Sequence, residues 1–455
     1  MSLSQVADAT ASPAELTPPS VAGPGPAGPG PVLGAPAPAE TGTQAQPGPA
    51  APRHALTLAI ILQVLISAGD GLAMVALASR VYQTSHASWA VASVFLAVTV
   101  PITALAPAAG LLLDRLSPRP VLVAAAAAQT VVALALTRLT GTGAILGLSL
   151  GFGLCAALLQ PGLGSIVPQL AGRTGVTRAN GYLQAATWGG FTVGPLLAGV
   201  LTAAGGTSLA LGAVAVVYGL GAIGLRALPL ARRPAGPADG PAAGDTRAEP
   251  VRRQLSAGLR FLRADRVAGL LVLVVAVMVA FGNMASVAEV AFAEGVLKAG
   301  ASGYSVLVAA WTAGMLGGTL AGGLVRHRHL AVATLAGTII AGIGVALAGG
   351  AITLWQAAAC YGIGGLANGV EVVATRSFLN HRVPADISGR VFALYSGVLF
   401  GAASVGMAAA GGLLAPLNPR VVLVIAGTGG IMAGALGWAR YTRLRRTAAA
   451  ARDVV

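Results

Sequence analysis

Charged residues are scarce in this sequence: they fill 9% of its 455 positions, whereas a soluble globular domain carries about 25%. Hydrophobic residues fill 55% of the positions, and the mean hydropathy is +0.79. Together these values exclude an ordinary soluble globule. They predict a polytopic membrane protein, whose many apolar residues face lipid as well as one another.

Cysteine and histidine are also rare, with two and five residues. Both cysteines, Cys155 and Cys360, fall inside apolar runs, which excludes a disulfide framework. The histidines lie near loops without a metal-binding pattern, and the sequence shows neither a phosphate loop nor a serine-nucleophile motif. We therefore expect no bound metal, no cofactor and no enzymatic activity.

Acidic residues are few: the sequence has 14 aspartates and glutamates but 28 lysines and arginines, which gives a net charge of +14. The cations lie in loops and tails between apolar runs. Membrane topology and anionic lipid headgroups explain this distribution better than nucleic-acid binding does. We therefore expect these basic residues to interact with the lipid bilayer and not with a nucleic acid.

Long apolar runs dominate the rest of the chain, and each is long enough to cross a bilayer core of roughly 30 Å at about 1.5 Å per residue. We place twelve spans at 55–82, 88–113, 120–139, 143–171, 178–204, 207–228, 266–295, 303–325, 330–349, 353–380, 389–415 and 419–439. These predict two bundles, 53–228 and 266–440.

Three segments lie outside the predicted bundles. Residues 1–52 are rich in Pro, Ala and Gly and are predicted to be a disordered tail. Residues 229–265 are predicted to form a linker, whose last part can be a helix on the membrane surface. Residues 441–455 form a basic tail. The cations place both termini, the linker and the tail in the cytoplasm, with the spans in the cell membrane.

The two halves of the chain look like repeats, shifted by about 212 residues. Matching stretches occur in the same order in both halves: 69–70 with 282–283, 109–111 with 321–323, and 167–178 with 383–390. This order favours a duplicated six-helix unit.

A short charged hairpin at 110–122, GLLLDRLSPRPVL, joins the second and third spans. Gly110 allows another backbone to come close. Asp114, beside Arg115, lies at a helix end, where it can pair with a cation or with the positive N-terminus of a neighbouring helix.

This hairpin resembles the loop after the second span in the major facilitator superfamily, G-x-L-a-D-R-x-G-R-[RK]-x-x-L. The matching residues are Gly110, Leu112, Asp114, Arg115, Arg119 and Leu122. Ser117 and Pro118 stand where the family usually has Gly and Arg. The resemblance implies a cytoplasmic gate that includes these residues with Arg178 and Arg390. The repeat offers two positive partners for Asp114: Arg178, and the N-terminus of the eleventh span, which begins just after Arg390.

Other segments resemble the drug/proton antiporters of the macrolide-efflux and siderophore-exporter branch. They are SAGDGLAMVAL (67–77), LQPGLGSIVPQL (159–170), TRANGYLQ (177–184), GPLLAGVL (194–201) and VPADISGRVFAL (383–394). The resemblance implies an all-α membrane protein with twelve transmembrane helices in two pseudo-symmetric six-helix bundles. It also implies that Gly194, Pro195 and Gly199 pack and bend the fifth span.

Acidic residues within spans are costly and are therefore functional candidates; they are Asp70, Glu289 and Glu371. Asp70 shares a helix face with Gln63, and Glu371 shares one with Asn368. Such a carboxyl group can carry a proton or bind the substrate, or it can serve only a structural hydrogen bond. Glu289 ranks below the other two because its position suggests the outer mouth.

Aromatic residues Trp188, Phe191, Trp311 and Tyr395 can line a cavity for a large lipophilic substrate, or they can be ordinary packing. We predict a monomeric secondary transporter that exports a lipophilic small molecule in exchange for protons. The alternative is a facilitator that imports a sugar or organic acid. Importing an anion requires arginines deep in several spans, and only Arg80 and Arg376 come close.

Overall fold

The computed structural model describes residues 53–115, 118–139, 141–228, 251–384 and 387–452, and the regular structure in these ranges is helical. The predicted tail 1–52 lies outside them. The α-helices are α1 Arg53–Ser85, α2 Ser88–Arg115, α3 Pro118–Arg138, α4 Thr142–Ala227, α5 Val251–Ala264, α6 Arg266–Ala291, α7 Gly300–Gly322, α8 Leu330–Gly350, α9 Leu354–Arg382, α10 Ser388–Leu413 and α11 Pro419–Arg452. A π-helical turn, Phe292–Val296, follows α6.

Within the described residues, 11 helical stretches are long and apolar enough to cross a membrane. One of them, Ala185–Ala227, has 43 residues, about twice the length that a bilayer core needs. Gly206 interrupts it with a φ of 74°, a backbone conformation that glycine adopts without strain.

The chain reverses direction at Gly206, as contacts with α1 demonstrate. In chain order the contacting pairs are Gly190 with Val64, Gly194 with Ala68, Val217 with Gly69 and Gly224 with Leu62. Residues 185–205 therefore run parallel to α1, and residues 207–227 run antiparallel to it. This stretch contains two spans, and the predicted total of twelve transmembrane helices is confirmed.

The predicted repeat is also visible in the helix boundaries. The helix starts Ser88, Pro118 and Thr142 have counterparts at Gly300, Leu330 and Leu354, each pair 212 residues apart. Among the described residues, only His86 and Lys298 have a positive φ without being glycine, at 49° and 53°. They too are 212 residues apart, in the α1–α2 and α6–α7 turns. The fold is two pseudo-symmetric six-helix bundles, as predicted.

Glycine brings the helices into close contact, as the pair α7 and α9 illustrates. A side chain on Gly314 or Gly318 of α7 would overlap the backbone of α9. Conversely, a side chain on Gly365 or Gly369 of α9 would overlap the backbone of α7. Membrane helices lack a hydrophobic driving force between them and rely on such close van der Waals packing. This accounts for part of the high glycine content.

The end of the predicted linker forms α5, which packs on α10. Gly258 of α5 lies against the backbone oxygen of Arg390 and the side chain of Leu394. Phe261 packs against a buried cluster that includes Tyr395. The helix therefore rests on the second bundle. At the C-terminus, α11 continues past the predicted end at 439 to Arg452, so the described part of the basic tail is helical.

Asp265 connects α5, α6 and α9. Its carboxylate caps α6 by accepting hydrogen bonds from the backbone N–H groups of Val267 and Ala268, each at 3.1 Å. The same carboxylate forms a salt bridge of 2.9 Å with Arg382, near the end of α9. One side chain thus fixes the point where the linker enters the second bundle.

We expect Asp265→Ala to lower the stability of the protein by about 1–2 kcal/mol, because a helix cap and an ion pair are lost together. Arg382→Ala keeps the helix cap and removes the largely exposed ion pair together with the contact of Arg382 with the Phe378 ring. It should cost less than about 1 kcal/mol. Thermal unfolding of both variants in detergent measures the difference. Equal losses would contradict the capping role.

Candidate functional site

Two adjacent cavities lie near the contact between the bundles, the first mainly within the first bundle and the second between the two. The first has a volume of about 190 Å³ and is lined mainly by α1, α2 and α4, with Met407 of α10 completing its wall. The second has a volume of about 350 Å³ and is bounded by α1 and residues 185–205 on one side and by α6, α7, α8 and α9 on the other. Met74 and Phe191 line both cavities. The two spaces are therefore neighbours at the centre of the molecule.

Asp70 is the acidic group of the first cavity. Its half-buried carboxylate accepts a hydrogen bond from the hydroxyl of Tyr218, which lies in the last span of α4. Most of the other lining residues are apolar, among them Leu77 and Phe95. Sequence reasoning did not find Tyr218, because it is 148 residues from Asp70 and belongs to no motif.

Glu289 lies in the wall of the second cavity, whereas its position in the sequence suggested the outer mouth. The residue is 5% exposed, and its Oε1 atom has no hydrogen-bond partner among the described residues. Tyr304 and Tyr361 line the same cavity, and the hydroxyl oxygen of Tyr361 also lacks a partner there. Unpartnered buried polar atoms are rare in native structures, so this cluster requires an explanation.

Glu371 is the third acidic residue, and it lies inside the second bundle with 1% exposure. Asn368 donates a hydrogen bond to its Oε2 atom at 3.1 Å, and Thr375 donates one to Oε1 at 3.1 Å. Thr375 also lies 3.1 Å from Thr334 of α8. Asn368 lines the second cavity and connects this polar network to it.

The remaining predicted polar residue, Gln63, makes a local contact. Its Nε2 atom donates a hydrogen bond of 3.0 Å to Ser67, one turn further along α1. This bond stays within one helix, and Gln63 is not among the residues that line the two cavities.

Gly194, Pro195 and Gly199 all lie at helix contacts. A Cβ atom on Gly194 would overlap the carbonyl oxygen of Ala68 in α1. Pro195 lies against Gly71, where a Cβ atom would approach its ring to 2.9 Å. Gly199 faces α7 of the other bundle, and a Cβ atom there would come within 2.7 Å of the Ser305 Cβ atom. Residues 185–205 thus contact both bundles.

We expect Gly194→Ala to destabilise the protein by about 1–3 kcal/mol, because the added methyl group meets backbone atoms that cannot move aside. Gly189→Ala is the matched control in the same span, since nothing lies within 4 Å of a Cβ atom there. Thermal unfolding and the yield of folded protein in the membrane measure both. If the two variants unfold at the same temperature, close packing at Gly194 is not important.

Three of the four predicted aromatic residues, Trp188, Phe191 and Trp311, line the second cavity. Tyr395 is 3% exposed and belongs to the buried cluster beside α5, and it is not part of either cavity wall described above. Three methionines, Met74, Met278 and Met315, also line the second cavity. Methionine side chains are flexible and polarisable and adapt to ligands of different shapes.

The predicted gate motif lies mostly outside the described side chains. Gly110, Asp114 and Arg115 belong to the last turns of α2 and Arg178 to α4, but only their helical backbone is described. Arg119 is exposed at the start of α3, and Arg390 is half-buried in the first turn of α10. The role of these residues as a gate stays a prediction.

The bundles contact each other at the end of the molecule opposite the predicted gate motif. We call this the His86 end, because His86 lies there in the turn between α1 and α2. There Gln83 of α1 donates a hydrogen bond of 3.2 Å to Glu294 of the π-helical turn. Tyr82 lies against Gly295 of the same turn, and Ala92 of α2 lies against Gly411 of α10. The end where α2 finishes is called the Arg115 end.

The two deep arginines that the sequence suggested do not line the cavities. Arg80 donates hydrogen bonds to Ser208 at 2.8 Å and to the backbone oxygen of Leu139 at 3.1 Å, so it holds the first bundle together at the His86 end. Arg376 is exposed. The described residues that line the two cavities include Asp70 and Glu289 but no lysine, arginine or histidine.

Two repeated six-helix bundles around a shared central cavity define a membrane transporter. The sequence model of the Major Facilitator Superfamily matches residues 59–407, and the chain belongs to this family. Among curated relatives, the Enterobactin exporter EntS of Shigella boydii serotype 18 (strain CDC 3083-94 / BS512) is 27% identical over 399 residues, which cover 83% of this chain and 89% of the relative.

Solved structures with the same fold include the nucleoside transporter NupG, with a TM-score of 0.64 and 14% identity over 85% of this chain and 99% of that one. A bacterial homolog of the human lysosomal transporter Spinster, inward-facing and unoccupied, has a TM-score of 0.62 and 16% identity over 84% and 95% of the two chains. At these identities, the likeness establishes the fold alone.

Proposed function

We propose that this transporter exports a lipophilic small molecule in exchange for protons, as a monomer in the cell membrane. The observation that carries the proposal is the central cavity pair, which is mainly apolar, contains carboxyl groups and has no cation among its described lining residues. An apolar cavity with few polar groups suits a lipophilic ligand. Acidic residues inside a membrane protein are typical of proton relays.

The direction of export is supported by the relative named as an enterobactin exporter, which aligns with 83% of this chain. That substrate belongs to the relative. For this chain, the mainly apolar lining supports the lipophilic class over a sugar or an organic acid, whose hydroxyl or carboxylate groups require several polar partners.

The cations support the orientation with both termini in the cytoplasm. The Arg115 end carries Arg326, Arg328, Arg382 and the arginines that follow residue 439. Among the described residues, the cations of the His86 end are only Arg80, Arg138, Lys298 and Arg420. Cytoplasmic loops carry the excess of arginine and lysine, so the Arg115 end faces the cytoplasm and the His86 end faces outward.

In the proposed mechanism, the two bundles rock about the central cavity and expose it alternately to either side. Asp70 and Glu371 are the candidate proton carriers. Asp70 meets the cavity directly, and Tyr218 holds its carboxylate in place. Glu371 reaches the cavity through Asn368. Outward opening breaks the contacts at the His86 end, among them the hydrogen bond from Gln83 to Glu294 that connects the two bundles.

Transport into everted membrane vesicles tests the proposal. Vesicles whose interior is acidified should accumulate a lipophilic fluorescent compound only when they contain the protein, and collapse of the pH gradient with nigericin should release it. Accumulation that survives nigericin would rule out proton exchange. Facilitated flux of sugars or organic acids without any flux of lipophilic compounds would favour the importer instead.

A further inference from the structure

Glu289 presents a buried acceptor without a donor. Its Oε1 atom is buried and unpartnered among the described residues, and the whole side chain is 5% exposed. A carboxylate in this situation is costly unless it takes up a proton or a hydrogen-bonding cation joins it. Since Glu289 lines the second cavity, such a cation can be supplied by a molecule that enters the cavity.

The surroundings of Glu289 fit a positively charged group. Tyr361, whose hydroxyl is also unpartnered among the described residues, lines the same cavity together with Trp188, Phe191 and Trp311. Aromatic faces attract cations, and the attraction grows when water is excluded. A carboxylate and several rings around one space are the groups that recognise an ammonium ion.

The other acidic residues of the second bundle do not offer the same site. Both carboxylate oxygens of Glu371 already accept hydrogen bonds, from Asn368 and Thr375. Glu294 accepts a bond from Gln83 at the His86 end and is not among the residues lining either cavity. Among the described acidic residues of this bundle, Glu289 is therefore the one that lies in a cavity wall with an open acceptor.

In the described part of the chain, no cation forms a salt bridge with Glu289. Arg420 donates to the backbone oxygens of Gly349 at 3.0 Å and Ala351 at 2.6 Å and lies over the ring of Phe292. The described lining of both cavities contains no basic side chain. A positive charge on the ligand is therefore attracted by Glu289 and is not repelled by any cation among the described lining residues.

We propose that Glu289 binds a protonated amine of the transported molecule, so that the substrates are lipophilic ammonium compounds. The amine lies between the Glu289 carboxylate, the Tyr361 hydroxyl and the aromatic rings, and the apolar part extends toward the first cavity past Met74 and Phe191. This inference rests on the proposed export of lipophilic molecules and adds the charge of the substrate.

Binding of three dansyl probes to the full-length protein in lipid nanodiscs tests the proposal. Dansylcadaverine ends in an ammonium group, N-pentyl-dansylamide in a methyl group, and dansyl-6-aminohexanoic acid in a carboxylate. We expect the wild type to bind the ammonium probe about tenfold more tightly than the methyl probe, because hydrogen bonds between charged groups are the strong ones. The carboxylate probe should bind most weakly.

Glu289→Gln should remove the preference for ammonium while the affinity for the methyl probe stays the same. Glu294→Gln is the matched control, because it removes a carboxylate outside the cavities and should keep the preference. Glu289→Asp should restore part of it. Tyr361→Phe keeps the ring and should lower the preference a few-fold, roughly the effect of one neutral hydrogen bond. It gives an independent result if Glu289→Gln does not fold.

The proposal is overturned if the wild type binds the three probes equally, or if folded Glu289→Gln keeps the tenfold preference. An unchanged preference in Tyr361→Phe would also count against it. These measurements use no pH gradient, so they are separate from the test of export. Equal binding together with proton-driven accumulation in vesicles would leave the proposed function in place and remove only the substrate charge.

Discussion

Asp70→Asn is expected to reduce proton-driven accumulation in everted vesicles to the level of vesicles without the protein. Asparagine has nearly the shape of aspartate and can still accept the hydrogen bond from Tyr218, but it cannot take up or release a proton. The fold should therefore persist while coupling to the gradient is lost. Accumulation of a lipophilic fluorescent compound, normalised to the amount of protein in the membrane, measures the effect.

Two further measurements make this result specific. Exchange of labelled for unlabelled substrate across the membrane needs no net proton movement and should persist in Asp70→Asn. Tyr218→Phe keeps the carboxyl group and removes its partner, so accumulation should continue at a reduced rate. If Asp70→Asn accumulates substrate normally, the proton carrier is elsewhere, and Glu371→Gln is the next variant. Normal accumulation by both variants would refute the assignment of either residue.

The helices and the repeat could be predicted because they depend on local composition. An apolar run long enough to cross a bilayer is visible in any window of the sequence, and duplication preserves the spacing between such runs. The reversal at Gly206 was found as the boundary between the fifth and sixth spans. The helix that extends to Arg452 was not, because helical geometry continues beyond the membrane where hydropathy no longer marks it.

The candidate site could be predicted only in part, because its residues meet through tertiary packing. Asp70 stands out in the sequence as an acidic residue in an apolar run. Its partner Tyr218 does not stand out, since a tyrosine in an apolar span is ordinary. Likewise, Glu289 was recognised as acidic, but its place in the cavity depends on Tyr304 and Tyr361 of two other helices. For Tyr395 the sequence left cavity lining and ordinary packing open, and the structure places it in the packed cluster beside α5.

The contact at the His86 end is weak enough to break during each transport cycle. An exposed hydrogen bond such as that from Gln83 to Glu294 contributes about 0.5–1.5 kcal/mol. Since about 1.4 kcal/mol corresponds to a tenfold change in an equilibrium, this bond biases the closed arrangement of the end without fixing it. A covalent link in the same place should fix it.

Cross-linking Gln83→Cys to Glu294→Cys with a short bifunctional methanethiosulfonate reagent is therefore expected to abolish transport. The native Cys155 and Cys360 are replaced by alanine so that only the new pair reacts. Transport should return when a reducing agent cleaves the link, because the block is a lost motion and not a damaged cavity. Accumulation in everted vesicles before and after reduction measures both effects.

A control pair inside one bundle separates the loss of motion from the chemistry itself. Ser208 of α4 reaches the backbone oxygen of Thr137 in α3 at 3.4 Å, near the His86 end and within the first bundle. Cysteines at these two positions react with the same reagent but connect parts that move together, so transport should continue. If the 83–294 link leaves transport intact, the bundles do not separate at the His86 end, and the proposed rocking motion is wrong. If it blocks transport while the 137–208 link does not, opening of this end is a required step of the cycle.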